Sequence, residues 1–300
     1  MSNAVKIWLI IATFLVIIGL VMFVVAMSGC KWDFTKLSTR KYETNSHEIS
    51  GAFRNISVDT DTANITFVLF SDGKCRVECY EEEKAKHSVA VQEDTLVIKV
   101  VDEKVWYDYI GIGFGSPKIT VYLPKAEYAS LTVKESTGDI EIPKDFQFVD
   151  VDISLSTGDV RVFASASNLM KIKTSTGNIC VENVLAGTLD LSVSTGKTKL
   201  SNVACENLTS NGDTGDISLN QVIAAEKISI KRNTGDVKFD RSDATEILVE
   251  TDTGDVTGTL LSEKVFIVQT DTGRIHVPKS TTGGKCEIAT ATGDIKLDIE

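Results

Sequence analysis

Three Asp-Thr-Gly triplets are the residues that most directly suggest chemistry. They begin at Asp213, Asp252 and Asp271. In aspartic proteases such triplets supply two carboxylates that share one proton in a cleft. Here they are copies of one repeated turn, whose first position elsewhere holds Ser, Asn or Ala. We therefore expect their side chains to stabilise turns, and we predict no catalytic residue and no enzymatic activity.

A second set of carboxylates follows the glycine of most repeats and could bind calcium. Calcium takes about six to eight oxygen ligands, and known repeat sites of the Gly-Gly-x-Gly-x-Asp type offer more ligands per turn. Lys197 and Arg274 interrupt the row. We expect solvated turn carboxylates, and calcium stays the open alternative. The carboxylates are Asp139, Asp159, Asp216, Asp236, Asp255 and Asp294.

Other common sites find little support in the sequence. His47, His87 and His276 lie far apart and beside no Cys or carboxylate at ligand spacing, so we predict no metal site. No helical pattern follows the glycines of residues 111–115, which argues against a phosphate-binding loop. The net charge of −11, with scattered basic residues, argues against a nucleic-acid partner. We predict no cofactor.

The turns that carry these residues belong to nine repeats of a Thr-Gly pair. Successive glycines are 19 or 20 residues apart. A unit of this length cannot bury its own apolar face, whereas stacked units build one continuous core, as in solenoid proteins. The glycines are Gly138, Gly158, Gly177, Gly196, Gly215, Gly235, Gly254, Gly273 and Gly293.

Apolar residues alternate on both sides of each glycine. The positions seven and five before it and two and four after it are apolar in 33 of 36 cases, the exceptions being Thr198, Ser210 and Gly258. A period of two is typical of a half-buried strand. Glycine between the two strands tolerates the positive φ of a turn. Each unit is therefore predicted as strand, turn and strand.

The constant register distinguishes a solenoid from other all-β folds. Hairpins of a meander favour Asn-Gly or Asp-Gly loops between matched strands, and propeller blades need about 40 residues per repeat. Equivalent positions in stacked coils would lie about 4.8 Å apart. We predict an all-β, single-stranded parallel β-solenoid over residues 127–300. It would have nine coils, a right-handed path and a length of roughly 43 Å.

An apolar segment near the N-terminus predicts a membrane anchor. Residues 7–27 carry no charge, and as a helix they would span about 31 Å, which matches a bilayer core. The apolar part of a cleaved signal peptide is shorter, about 7 to 15 residues. We therefore predict a transmembrane helix within residues 1–30. The alternative is lipidation of Cys30, because the residues before it resemble a bacterial lipoprotein cleavage site.

The charges that flank the span allow two orientations. Lys6 precedes it, whereas Lys31, Lys36, Arg40 and Lys41 follow it, and the positive-inside rule counts these four against export. A very short N-terminal tail before a single span and a large domain favours export instead. We predict a single-pass protein of the cell membrane with an extracytoplasmic solenoid.

Two stretches separate the anchor from the repeats. Residues 31–48 are polar and are predicted as a juxtamembrane stalk. Residues 49–126 show irregular alternation and are predicted as atypical coils that cap the solenoid. Within them, Thr62-Ala63-Asn64-Ile65 looks like a degenerate repeat turn, and residues 106–115 form an aromatic, glycine-rich loop.

The tandem Ser-Thr-Gly-Asp-Ile units resemble the bacterial putative-adhesin family, a domain of unknown function whose members often carry one N-terminal span. The units at residues 136–140 and 156–160 carry this resemblance, which extends over about residues 50–300. It implies a surface or envelope role and supplies no catalytic residues. The Asp of the unit is replaced at Asn178, Lys197 and Arg274.

These features predict a non-enzymatic, membrane-anchored envelope protein, an adhesin or binding scaffold whose partner is an envelope protein or a glycan. One alternative is an accessory or regulatory protein of an envelope-stress membrane system. Another is a polysaccharide-acting β-helix enzyme, which would need a local cluster of acids and bases. Residues 295–300 continue the strand alternation to the last residue, so we predict self-association through an open C-terminal end of the solenoid.

Overall fold

The structure, a computed structural model, is mostly β and begins with one helix, α1, Asn3–Gly29. It describes residues 2–33, 36, 38–70, 73–110 and 113–300. Parts of the predicted stalk and aromatic loop lie outside the described residues, at positions 34, 35, 37, 111 and 112. The strands are β1 Tyr42–Ile49, β2 Asn55–Thr62, β3 Asn64–Leu69, β4 Cys75–Glu82, β5 Ala85–Gln92, β6 Thr95–Asp102, β7 Lys118–Leu123, β8 Glu127–Thr137, β9 Ile140–Ile142, β10 Gln147–Thr157, β11 Val160–Val162, β12 Ser165–Thr176, β13 Ile179–Thr195, β14 Thr198–Thr214, β15 Ile217–Thr234, β16 Val237–Thr253, β17 Val256–Leu260, β18 Lys264–Thr272, β19 Ile275–His276, β20 Gly284–Thr292 and β21 Ile295–Ile299.

Helix α1 is longer than the predicted span of residues 7–27. It starts after Ser2, whose side-chain oxygen accepts a hydrogen bond from the backbone N–H of Val5 at 3.4 Å, which caps the helix N-terminus. The helix includes Lys6 because a single charge does not stop a helix, whereas the predicted span counted only uncharged residues. It is long and apolar enough to cross a membrane.

Neighbouring coils pair in parallel with equivalent residues side by side. The threonine before each turn faces the threonine of the next coil, as Thr195 does with Thr176 and Thr214. The apolar residues that follow are also matched, as in the pairing of Val184 with Val203. Such a ladder buries one face of strands β13, β14, β15 and β16 in a common core. The predicted parallel β-solenoid is confirmed.

A buried arginine explains two of the three exceptions to the apolar pattern. Arg232 is only 1% exposed, and its Nη2 donates to Ser210 Oγ at 2.9 Å and to Thr198 Oγ1 at 3.3 Å. A Cβ added to Gly212 would lie 2.9 Å from Arg232 Nη1, so this glycine leaves room for the guanidinium. Burial lowers the pKa of Arg232 to about 10. The polar exceptions are thus partners of a buried cation.

The last coils do not stack in the order of the sequence. Strand β20 lies between β16 and β18, and β21 lies between β17 and β19. The prediction of an open strand edge is therefore wrong for Ile295 and Lys296, which pair on both sides, whereas residues 297–299 pair with β17. All coils share one register, so the final coil can insert between its two predecessors. Self-association stays a prediction without this premise.

The N-terminal strands continue the stack and then depart from it. Strand β2 pairs in parallel with β8 and β6, and β3 pairs in parallel with β9 and β7. Asn64 takes the position of the turn Asp, since its Oδ1 accepts the backbone N–H of Asp139 at 3.0 Å. Strand β4, by contrast, runs antiparallel to β7 and forms a hairpin with β5. These two strands are not coils, because Glu83 and Lys84 reverse the chain between them.

The chain divides into two compact units. The first contains residues 1–43, 82–85 and 102–115, and the second contains the remaining residues. The first unit holds α1 and a 3-10 turn, Trp106–Ile110. Strand β1 begins at Tyr42, so the last part of the predicted stalk is a strand, because its side chains already alternate in exposure.

Candidate functional site

The Thr-Gly turns stack along one side of the coils, which we call the turn edge. The turn glycines have φ between 129° and 157°. A Cβ on Gly177 would lie 1.9 Å from the carbonyl oxygen of Gly158 in the preceding coil. The backbone N–H of Gly158 donates to the carbonyl of Thr176 at 2.9 Å. Only glycine fits this backbone contact, and the next residue of each coil is therefore held at a fixed spacing.

The Asp and Asn residues after the glycines form a hydrogen-bonded ladder. Asp139 Oδ1 accepts the backbone N–H of Asp159 at 2.9 Å, and Asp159 Oδ1 accepts that of Asn178 at 2.8 Å. The same bond joins Asp216 to Asp236, Asp236 to Asp255, Asp255 to Asp294 and Asp294 to Arg274. One oxygen of each side chain therefore supports the neighbouring coil, which accounts for Asp and Asn here without a metal ion.

The two basic residues in this row pair with acidic neighbours. Lys197 Nζ lies 3.2 Å from Asp216 Oδ2, and Arg274 Nη2 lies 3.0 Å from Asp294 Oδ2. The pKa of Asp216 is lowered by the hydrogen bond from the backbone N–H of Asp236 and by Lys197. The turn edge therefore combines a row of carboxylates with two cations that pair with them.

The three Asp-Thr-Gly triplets do not meet in a cleft. Asp213 belongs to β14 and Asp252 to β16, and β15 lies between them. Two strand spacings separate such residues by about 9.6 Å. Asp271 is likewise separated from Asp252 by β20. All three are exposed, so no two of these carboxylates can share a proton as a protease requires.

A groove of about 540 Å³ lies beside the turn edge, and we call it the flank groove. Four successive coils build it, so that its residues repeat at equivalent positions. Lys199, Ser218 and Lys238 pair side by side on β14, β15 and β16. The lining residues are Asn178, Ile179, Cys180, Lys197, Thr198, Lys199, Asp216, Ile217, Ser218, Asp236 and Lys238.

The flank groove is charged and partly self-neutralised. Lys199 Nζ lies 2.8 Å from Glu182 Oε1, and this hydrogen bond raises the pKa of Lys199. Burial raises the pKa of Cys180 to about 11, and the Cys180 thiol donates to Glu182 at 3.3 Å. Lys238 is exposed and forms no ion pair within the described part of the chain. The groove can therefore bind a polar ligand through hydrogen bonds and one available ammonium group.

A second polar cluster is buried among the N-terminal strands. His87 Nδ1 lies 2.7 Å from Glu81 Oε2, and His87 Nε2 lies 2.8 Å from Thr60 Oγ1. Glu81 also accepts the backbone N–H of His87 at 2.6 Å and the side-chain amide of Asn45 at 2.7 Å. Cys79 Sγ lies within 4.8 Å of a carboxylate oxygen of Glu81 and a ring nitrogen of His87, which are atoms of the kind that ligate metal ions. The chain thus brings together groups that are separated in sequence.

This cluster has the hydrogen-bonded sequence of groups found in a hydrolase triad, but a substrate cannot reach it. A carboxylate, an imidazole and a hydroxyl are linked as in serine hydrolases, yet Thr60, Glu81 and His87 are all buried. Burial and the Glu81 charge raise the pKa of Cys79 to about 12, so this thiol stays protonated. The hydrogen bonds satisfy the buried groups. The arrangement therefore holds β2, β4 and β5 together.

The cluster is not evident in the sequence, because no Cys or carboxylate lies at ligand spacing from His87. Cys79 and Glu81 lie two residues apart and therefore on one face of β4. The hairpin after Glu82 returns the chain so that His87 lies beside Glu81. Recognising Glu83-Lys84 as a turn between alternating strands would have predicted this pairing.

Comparison with known proteins gives a family and a fold. The family model described as Toastrack DUF4097 matches residues 53–221 and 188–300. No curated protein matches the sequence. The structure of a "putative lipid binding protein" from Parabacteroides distasonis ATCC 8503 is similar, with 13% identity, coverage of 87% of this chain and 98% of that chain, and a TM-score of 0.53. A "putative adhesin" from Parabacteroides merdae ATCC 43184 shows 12% identity, coverage of 87% and 98%, and a TM-score of 0.44.

Proposed function

Because this chain belongs to the Toastrack DUF4097 family, as its Ser-Thr-Gly-Asp-Ile turns indicated, we propose that it is a membrane-anchored binding scaffold of the cell envelope. In this proposal α1 is the anchor, the coils are the scaffold, and the flank groove contacts an envelope protein or a glycan. The scaffold itself catalyses no reaction.

The flank groove is the observation that carries the proposal. Its wall repeats from coil to coil, and the turn edge fixes the spacing of its residues. A rigid row of hydrogen-bonding groups loses little conformational entropy when it binds a partner. Lys238 is the exposed charge available to such a partner. The repeated wall suits an extended ligand better than a single small molecule.

Helix α1 supports the membrane part of the proposal. It has the length and apolarity of a spanning helix and belongs to a different compact unit from the coils. We place the coils outside the cytoplasm because a short N-terminal tail precedes one span and a large domain. The basic residues after the span favour the opposite orientation, so the orientation needs a direct test.

Binding to bacterial cell walls tests the flank groove. We expect full-length protein in detergent to sediment with isolated walls. The double variant K199E/K238E should bind at least about tenfold less, because its two glutamates would repel an anionic ligand. The double variant K171E/K173E makes the same charge change at two exposed sites outside the groove and should leave binding unchanged. Equal binding by K199E/K238E and the wild type would disprove a role for the groove.

Cysteine labelling in intact cells tests the orientation. In a Cys30→Ser background, Lys36→Cys should react with a membrane-impermeant maleimide, whereas Ser2→Cys should react only after the cells are permeabilised. The thiols of Cys75, Cys79, Cys205 and Cys286 are buried, and partly buried Cys180 has a pKa raised to about 11, so they should contribute little background. The reverse pattern would place the coils in the cytoplasm.

A further inference from the structure

An exposed aromatic turn is present in the same compact unit as α1. The 3-10 turn Trp106–Ile110 leaves Trp106 75%, Tyr107 59%, Tyr109 56% and Ile110 73% exposed. Four large apolar or aromatic side chains within five residues form an exposed patch of the kind that marks an interaction surface. The proposed function, which uses the flank groove and the coils, assigns no role to this exposed patch.

The polar side chains of this turn form hydrogen bonds with neighbouring residues. Asp108 Oδ1 accepts a hydrogen bond from Lys84 Nζ at 2.5 Å, and Asp108 Oδ2 accepts the backbone N–H of Val105 at 3.0 Å. Lys84 and this backbone bond lower the pKa of Asp108. The Tyr109 hydroxyl donates to Asp102 Oδ2 at 2.6 Å. The turn is therefore fixed by its polar side while its rings face outward.

Cations lie close to the exposed rings. Lys84 Nζ lies 5.9 Å from the ring centre of Tyr107, and Lys104 Nζ lies 5.6 Å from that of Tyr109. Arg40 Nη2 donates to the carbonyl of Tyr109 at 3.4 Å. Trp, Tyr, Lys and Arg in this combination are typical of protein segments at the membrane–water interface, where rings rest at headgroup depth and cations meet phosphates.

We propose that the turn Trp106–Ile110 docks on the bilayer surface next to α1, with its rings and Ile110 inserted at headgroup depth. This inference rests on the proposed function, because it requires α1 to anchor the chain in the membrane. Trp32, which is exposed three residues after the helix end, contributes a further interfacial ring. Helix and turn together give the first unit two attachments to the membrane, which restrict its tilt.

The three tryptophans of the chain provide the test. Full-length protein carrying W8F/W32F retains only Trp106, and it is reconstituted in vesicles of phosphatidylethanolamine and phosphatidylglycerol. Some vesicles contain lipids with shallow bromines, on acyl-chain carbons close to the headgroup. Others contain lipids with deep bromines, close to the terminal methyl group of the acyl chain. We expect blue-shifted Trp106 emission that shallow bromines quench more strongly than deep bromines.

A matched pair of serine variants sharpens the test in this background. I110S should lower the equilibrium constant for insertion of the turn about tenfold, because it removes one buried apolar side chain. L185S removes a similarly exposed apolar side chain of the coils and should leave the bromine quenching of Trp106 unchanged. Equal quenching in I110S and its parent would contradict the proposal.

Three further outcomes separate the docking of the turn from the anchoring of α1. The W32F/W106F protein retains only Trp8 within α1, and the absence of any bromine quenching there would disprove the anchor itself. Quenched Trp8 with a Trp106 that responds only to aqueous iodide would overturn the docking alone. Blue-shifted Trp106 without bromine quenching would also overturn it, since protein, not lipid, would then cover the turn.

Discussion

The regular coils and the N-terminal strands β2, β4 and β5 both bury a polar cluster, but they assemble it differently. In the coils, Arg232 reaches Thr198 and Ser210 on the adjacent strand, and these two partners replace apolar residues of the repeated pattern. In the N-terminal strands, His87 meets Glu81 across a hairpin. The first cluster follows from the repeat register. The second depends on how a unique segment folds back.

The two regions meet at Glu135. This residue of β8 lies opposite Thr60 of β2, and its Oε1 accepts the backbone N–H of Ala63 at 2.9 Å. Burial raises the pKa of Glu135 to about 8. Its Oε2 has no partner among the described residues, which fits a protonated carboxyl. The equivalent position is uncharged in the next four coils, at Leu155, Thr174, Val193 and Gly212, and the fifth coil places the buried Arg232 there.

Substitution of a turn glycine should have the largest effect, because it breaks the coil-to-coil contact. Gly196→Ala would place a Cβ 1.9 Å from the carbonyl oxygen of Gly177, so we expect a loss of more than about 4 kcal/mol in the free energy of unfolding, or no folding. Gly73→Ala is the control, since Gly73 also has positive φ but has open space around its Cβ position. Chemical denaturation would measure both, and equal losses would show that φ strain alone matters.

Removal of the imidazole should rank second. His87→Phe leaves the Thr60 hydroxyl unpaired and takes one hydrogen-bond partner from buried Glu81, so we expect a loss of about 3 kcal/mol. Ser210→Ala should cost about 1 kcal/mol, because Arg232 keeps the backbone carbonyls of Ser210 and Lys231. Thermal or urea unfolding would compare the two. Equal losses would mean that the hairpin cluster is no more critical than the coil cluster.

The smallest expected effect is a dependence of stability on pH at the junction. The folded-state pKa of Glu135, about 8, lies above the ordinary glutamate value of 4.5. The folded state therefore keeps a proton that the unfolded chain releases, and stability falls as pH rises from about 4.5 to about 8. We expect a loss on the order of 1 to 2 kcal/mol, because relaxation around an ionised carboxylate limits the full effect.

Glu135→Gln isolates this contribution. Glutamine cannot titrate, so the variant should show a smaller fall in unfolding free energy between pH 5 and pH 8.5 than the wild type. Glu141→Gln, an exposed glutamate on the neighbouring strand β9, should leave the wild-type dependence intact. Parallel pH profiles for wild type and Glu135→Gln would show that the carboxyl titrates normally.

The sequence predicted the parts of the fold that depend on local pattern. Alternation around each Thr-Gly pair predicted strand, turn and strand, and the coils confirm it. The Asp row was recognised, but its ladder role was not, because a side-chain bond to the next coil depends on stacking. The sequence does not predict the contact of His87 with Glu81, because the hairpin that brings them together lies in a stretch without repeats.

The sequence by itself determined the apolar helix, the period of 19 or 20 residues and the glycine turns, because each depends on neighbouring residues or on a fixed spacing. Only the tertiary structure decided the order of the last coils, in which β20 lies between β16 and β18, and β21 lies between β17 and β19. Coils of one register offer each other equivalent edges, so local pattern does not specify which edge is filled. Packing over the whole stack makes that choice, as it does for the buried cluster around His87.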